Sequence, residues 1–153
     1  MKGERITNIP GLNYLWKVDN LYLAGQPSDE SWDKIKEAGV TKVINIRGED
    51  ELDFSKQVEI LASHNIEYLH IPVMKDGALD ENACLKINQL IEKDKLQMIH
   101  CGSANRVAGW LMTYLTLEKK IDFEDAVEIA ENNGLSNPGF IDQAQKICKA
   151  NQQ

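Results

Sequence analysis

The chain has 153 residues, a size that predicts one domain, and 42% of them are hydrophobic, enough for a buried core. Its 17 Lys and Arg against 24 Asp and Glu give a formal charge of −7, which argues against nucleic acid or an anionic membrane as a general partner. No stretch approaches a membrane span, and the start, Met1-Lys2-Gly3-Glu4-Arg5, lacks the apolar region of a signal peptide. The three cysteines, Cys84, Cys101 and Cys148, are odd in number and widely spaced. They read as reduced thiols and not as a disulfide framework or zinc site, so the expected compartment is a cytoplasm of bacterial type.

In chain order, residues 1–10 read as an irregular lead-in. Residues 14–18 and 20–24 are two short strand candidates, with Asp19-Asn20 as the turn between them. Gly25-Gln26-Pro27-Ser28 then breaks the strand. Ser28 is placed to cap a helix with Asp29 and Glu30 in its first turn and Trp32 and Ile35 facing inward, and Gly39 closes it. Residues 41–47 are short and β-branched, a strand, and residues 48–50 turn the chain. Residues 51–65 are expected as a helix with Phe54, Val58 and Leu61 inside, and residues 66–73 as another strand with Pro72 near its end. Residues 74–79 are expected as a loop around Asp76-Gly77. Asp80 caps a helix whose Ala83, Ile87, Leu90 and Ile91 fall at helical spacing.

Residues 96–100 form a strand that delivers Cys101. Three helices follow: residues 106–119, apolar enough to be central; a second, capped by Asp122 and ended by Gly134; and a third, started by Asn137-Pro138, with Ile141, Ala144 and Cys148 inward. Alternating strands and helices, followed by helices, imply an α/β fold of a single domain, residues 1–153, with a mostly parallel central sheet flanked by helices.

The stretch that carries chemistry runs from Met98 to Leu111. An apolar strand ends in His100-Cys101. Gly102, Ser103, Ala104 and Asn105 follow, then Arg106 and an apolar-faced helix. A loop feeding a helix N-terminus aims backbone N–H groups at one spot and adds the positive end of the helix dipole, which suits an anion. Small residues let backbone approach a ligand, and Asn105 tolerates the left-handed conformation such a nest needs. A thiol beside helix N-terminal amides and an arginine is the general setting in which the nucleophilic thiolate is favoured. Arg106 offers a planar fork that matches a tetrahedral oxyanion. Such a loop sits where α/β folds bind ligands, at the carboxyl end of a strand. Against this stands the plainer reading of a buried, inert cysteine and a helix-capping arginine.

The order of these parts resembles the cysteine-dependent protein tyrosine and dual-specificity phosphatase superfamily, whose signature is His-Cys, five residues, Arg, then Ser or Thr. Here His100-Cys101 and Arg106 are present, four residues intervene, and Val107 stands where the hydroxyl is expected. The sequence is more similar to a bacterial branch, the beta-lactamase-hydrolase-like phosphatase group, which has the four-residue spacing. That group also carries Gly-Gln-Pro-Ser after a strand, here residues 25–28, and an Ile-Asn-Leu-Arg-like strand end, here residues 44–47. The likeness spans roughly residues 21–136 and implies a dual-specificity-phosphatase-like fold.

The resemblance implies phosphomonoester hydrolysis through a phosphocysteine on Cys101, with no metal or other cofactor. Arg106 and the backbone of Gly102, Ser103, Ala104 and Asn105 would hold the phosphate, and the substrate would be a phosphorylated small molecule or a phosphoprotein. The best general-acid candidate is Asp76, 25 residues before Cys101. Asp80 is its rival, with a ready alternative as a helix cap, and Glu81 reads as a solvated first-turn residue. His100 resembles the family histidine that orients the cysteine loop. Arg47 is within the reach of a substrate phosphate or of an ion pair with Glu49, Asp50 or a helix. Gln26 borders the site on a structural turn. His64 and His70 read as surface or edge residues, and Trp110, Met112 and Tyr114 as core.

The short loop leaves two other readings. Rhodanese-type sulfurtransferases use a Cys followed by four loop residues, which implies sulfur transfer through a Cys101 persulfide. Val107 also admits a non-catalytic module that binds phosphorylated or sulfated ligands.

Overall fold

Alternation along the strands decides how the molecule is layered. The computed structural model describes residues 2–152. In order it contains β1 (Gly3–Arg5), β2 (Leu15–Val18), β3 (Leu21–Ala24), a 3-10 turn (Asp29–Ser31) running into α1 (Trp32–Glu37), β4 (Val40–Asn45), α2 (Ser55–Ser63) and β5 (Glu67–His70). A hairpin of β6 (Met74–Lys75) and β7 (Ala78–Leu79) follows, then α3 (Glu81–Leu90), β8 (Leu96–His100), α4 (Asn105–Leu117), α5 (Phe123–Asn132) and α6 (Gly139–Asn151). Six strands form one sheet in the order β1-β2-β3-β8-β4-β5. From β3 onward neighbours run parallel, and β1 and β2 add an antiparallel margin.

Successive side chains leave opposite faces of a strand. In β3, Leu21 and Leu23 join the larger core, and Tyr22 and Ala24 the smaller. In β4 and β8, Ile44 and Ile99 follow the first pattern, and Val43 and Met98 the second. The larger core receives α3, α4, α5 and α6; the smaller receives Trp32 and Ile35 of α1 and Leu61 of α2. Among these helices α4 is central: every residue from Val107 to Leu117 is buried. Trp110, Met112 and Tyr114 are core as expected, and the Trp110 indole N–H donates to Asn88 Oδ1 at 2.8 Å. No helix of the described residues is long and apolar enough to cross a membrane.

Four local expectations are corrected. The lead-in is not irregular throughout, because Gly3–Arg5 pairs with β2 in register with Trp16–Val18, and the Arg5 guanidinium lies over the Trp16 ring at 4.9 Å. The helix expected from residue 51 begins at Ser55 instead. Asp53 Oδ1 accepts from Ser55 N at 3.0 Å and so closes the turn before it. Phe54 is buried just before the helix, Gln57 and Leu61 face inward from it, and Val58 is 43% exposed. The segment 74–79 is a hairpin, with Asp76 at φ 53° and Gly77 at φ 80°. Two consecutive positive φ values are the signature of a type I′ turn, which Asp-Gly favours. Ser28 stands before a 3-10 turn, and its hydroxyl meets Ser31 Oγ, capping no backbone N–H.

Trp110 is fully buried in the larger core. Trp110→Ala should cost about 3–5 kcal/mol in urea denaturation, because it opens a cavity and strips Asn88 of its partner. An unchanged midpoint would mean that α4 is not the centre of the core.

Candidate active site

Strand β8 lies between β3 and β4, and its end is pinned from both sides. Cys101 N donates to Ala24 O at 3.0 Å, and Ile46 N donates to His100 O at 3.0 Å. Alternation then sends His100 and Cys101 to opposite faces. His100 turns toward α1 and α2, edge-on to Trp32 with ring centroids 6.3 Å apart. Cys101 packs in the larger core and is 1% exposed.

The loop turns at Ala104, whose φ is 71°. The left-handed conformation costs a non-glycine residue roughly 1–2 kcal/mol. Full burial of Ala104 and the bond from Ala108 N to its carbonyl at 3.0 Å offset that cost. Asn105 therefore does not hold the left-handed position expected of it. Its side-chain oxygen accepts from Ser136 N and Asn137 N, both at 3.1 Å, and ties the loop after α5 to the start of α4. The first-turn N–H groups of α4 have no partner within the helix and open toward the loop.

A second wall comes from residues 25–28. Gly25 bridges Ser103, and Gln26 N donates to Gly102 O at 3.0 Å. A Cβ on Gly25 would stand 2.7 Å from Gly102 O, so only glycine permits this approach.

Two guanidinium groups converge on the loop. From the position of a Cβ on Gly102, Arg106 Nη2 lies at 3.5 Å and Arg47 Nη2 at 3.9 Å. Glu51, read from sequence as a helix residue, joins the two cations. It accepts from Arg106 Nη1 at 2.6 Å, from Arg106 Nη2 at 3.0 Å and from Arg47 Nε at 2.9 Å, with Gly48 N as a further donor. Of the ion-pair partners considered from sequence, Arg47 takes neither Glu49 nor Asp50 but Glu51, which opened the helix expected over residues 51–65. Hydrogen bonding from Arg106 holds the Glu51 carboxyl down at about 2, with Gly48 N and Arg47 adding and burial opposing. The same pairing raises Arg106 still further.

His100 is fully buried, and desolvation pushes it down to about 3, with the charges of Arg47, His70 and Arg106 adding. It is neutral at ordinary pH. Its Nε2 meets Gln57 Nε2 at 2.8 Å, and its Nδ1 meets Cys101 O at 3.4 Å. His70 Nε2 donates to Arg47 O at 2.8 Å and so fixes the chain end that carries Arg47. His64 stands apart, paired with Asp33.

Asp76 sits exposed at the tip of the β6–β7 hairpin, and its carboxylate makes no hydrogen bond or ion pair among the described residues. Asp80, its rival, is committed: its Oδ2 accepts from Ala83 N at 3.0 Å at the start of α3. Glu81 follows in the first turn, exposed. Val107 is buried in the core with no hydroxyl to offer the loop. Glu51 and Gln57 are the two site residues that sequence reasoning missed. An acid four residues after Arg47 was a signal for the first. The Phe54, Gln57, Leu61 spacing was the only one for the second.

No family model matches the chain, and no curated protein matches it. Solved structures do. Tk-PTP in its active form aligns with a TM-score of 0.75 at 16% identity over 92% of this chain and 97% of its own. P. aeruginosa TpbA aligns at 0.74 and 17% identity over 99% and 91%. Kinase associated phosphatase, with its catalytic-site cysteine replaced by serine, aligns at 0.74 and 15% identity over 94% and 96%.

Glu51 generates a pH prediction. Its carboxyl is depressed in the folded chain from an ordinary value of 4.5 to about 2. The stabilisation is therefore whole above about pH 4.5 and is lost as pH falls through about 2. Glu51→Gln should be less stable than the parent in urea at neutral pH, with the gap narrowing across that window. A gap that stays constant down the window would show that the carboxylate does not hold the arginines.

The alignments run over nearly the whole of each partner, and the chain has the fold of the cysteine-dependent protein tyrosine and dual-specificity phosphatases.

Proposed function

We propose that the chain is a phosphomonoester hydrolase that works through a phosphocysteine on Cys101. The observation that carries this reading is the convergence of the Arg106 and Arg47 guanidiniums on Gly102, the residue after Cys101, at the N-terminus of a buried helix. The likeness to TpbA, one variant of which was solved with phosphotyrosine, supports a phosphoryl ligand, on a phosphoprotein or a small molecule.

An oxyanion finds its donors in the backbone of Gly102, Ser103, Ala104 and Asn105 and in Arg106. Of the five donors of that guanidinium, Glu51 takes two. Nε–H and one N–H on each terminal nitrogen remain for equatorial oxygens, where negative charge resides in the transition state. Arg47 Nη2, 3.9 Å from the same point beside Gly102, adds a second cation. His100 and Gln26 support the loop from beneath and beside it.

In the first step the Cys101 thiolate attacks phosphorus. The S–P bond forms, the P–O bond to the leaving group breaks, and the leaving oxygen takes a proton from Asp76. In the second, Asp76 as carboxylate takes a proton from water, whose oxygen attacks phosphorus. The S–P bond breaks, giving inorganic phosphate and the thiolate. Asp76 is preferred over Asp80 because its carboxylate is free and stands on a two-residue turn. No metal or cofactor enters this scheme. All three cysteines are free, which suits a reducing, cytoplasmic setting.

With p-nitrophenyl phosphate the chain should release phosphate, and Cys101→Ser should abolish that release almost entirely. Thiocyanate from thiosulfate and cyanide, with no phosphate released, would reject this reading in favour of sulfur transfer. Hydrolysis unchanged in Cys101→Ser would place the activity elsewhere. Asp76→Asn should slow turnover of alkyl phosphates far more than of p-nitrophenyl phosphate, since only a poor leaving group needs the proton. Equal losses on both would remove Asp76 from the acid role.

A further inference from the structure

Four hydrogen bonds run in series beneath the loop. Arg47 Nη1 donates to Gln26 Oε1 at 3.2 Å, and Gln26 Nε2 donates to Gln57 Oε1 at 2.8 Å. Gln57 Nε2 meets His100 Nε2 at 2.8 Å, and His100 Nδ1 meets Cys101 O at 3.4 Å. The direction of every bond follows from the first. A guanidinium has no acceptor, so the Gln26 atom facing it must be the amide oxygen. The Gln26 nitrogen must then donate, which makes the facing atom of Gln57 its oxygen and leaves the Gln57 nitrogen to donate to His100. His100 Nε2 therefore accepts, its proton sits on Nδ1, and Nδ1–H points to the Cys101 carbonyl.

We infer that Gln57, through Gln26, is a positioning residue that couples the Arg47 cation to the nucleophile loop by fixing His100 as its Nδ1–H tautomer. Gln57 is 5% exposed and packs at an inward position of α2 where an apolar residue would otherwise serve. Two amides in series pass on the orientation without adding charge. Neutral His100, kept so by burial, supplies the last donor. The consequence is that the Cys101 carbonyl is held toward the α2 side of the sheet, away from the anion that the loop receives. The Arg47 guanidinium beside Gly102 and the Cys101 carbonyl become the two ends of one oriented chain. The inference concerns the same site as the hydrolase reading, and its catalytic consequence rests on that reading.

Gln57→Glu is the deciding variant. It keeps size and shape and, once ionised, can only accept, so His100 Nε2 must then carry a proton and the Nδ1 bond to Cys101 loses its enforcement. Long-range nitrogen-15 spectra of the histidine rings should show His100 as Nδ1–H in the parent chain and with Nε2 protonated in Gln57→Glu. Gln57→Met, apolar and of similar length, should lose the single tautomer without gaining a charge. With p-nitrophenyl phosphate both variants should lose kcat on the order of 100-fold, the scale of a displaced reacting group, with KM changed far less. An Nδ1–H signal that persists in both folded variants would overturn the relay. So would kcat values equal to the parent's. If the parent hydrolyses no phosphomonoester, the function proposed above fails, while the tautomer spectra still decide the relay.

Discussion

A strand hydrogen-bonded along both edges cannot shift at its end, and the placement of the loop that follows β8 depends on this constraint. β8 is held by β3 on one side and β4 on the other up to its last residue. The bonds from Cys101 N to Ala24 and from Ile46 N to His100 extend that grip past the strand itself. The sulfur is thus placed by six strands' worth of pairing and not by a flexible turn. Because side chains alternate, the same fixed end also assigns His100 to one layer and Cys101 to the other. One layer then holds His100 beneath the loop, and the other carries the helix whose first amides open toward it.

Electrostatic balance is the second constraint. Arg47 and Arg106 approach within reach of one glycine, and two like charges that close would push apart. Glu51 lies between them and accepts from both, which lets them stay together. Its position explains why α2 starts late: residue 51 is drawn toward the cations, and the helix resumes only after the Asp53 turn. A helix that began at residue 51 would carry this carboxylate along a helical path instead.

The loop was legible because its parts are adjacent in sequence. The strand that ends in His100-Cys101, the run of small residues, Arg106 and the helix after it all stand where local pattern puts them. Asp80 as a cap and Gly134 as a helix end were legible for the same reason, since each acts on its near neighbours. What stayed hidden is long-range and polar. Glu51 meets Arg106 across 55 residues, and Gln57 meets His100 across 43. Patterns of apolar spacing contain nothing about which buried glutamine will find partners, so Val58 looked like the inward residue. Ala104 in the left-handed region was equally hidden, because its conformation is imposed by the strand before it and the helix after it. β1 escaped notice because an edge strand with one partner needs no hydrophobic alternation; its residues are mostly exposed.

The carboxylate lodged between the two guanidiniums also sets what an approaching molecule feels from a distance. Glu51 cancels one of the two guanidinium charges beside the loop, on a chain whose formal total is −7. Beyond a Debye length, about 8 Å at physiological ionic strength, such a surface offers anions little attraction. For the proposed hydrolase, encounter is left to ordinary diffusion, and discrimination among phosphoryl ligands is left to contact distances at the loop, where shape and donor count decide.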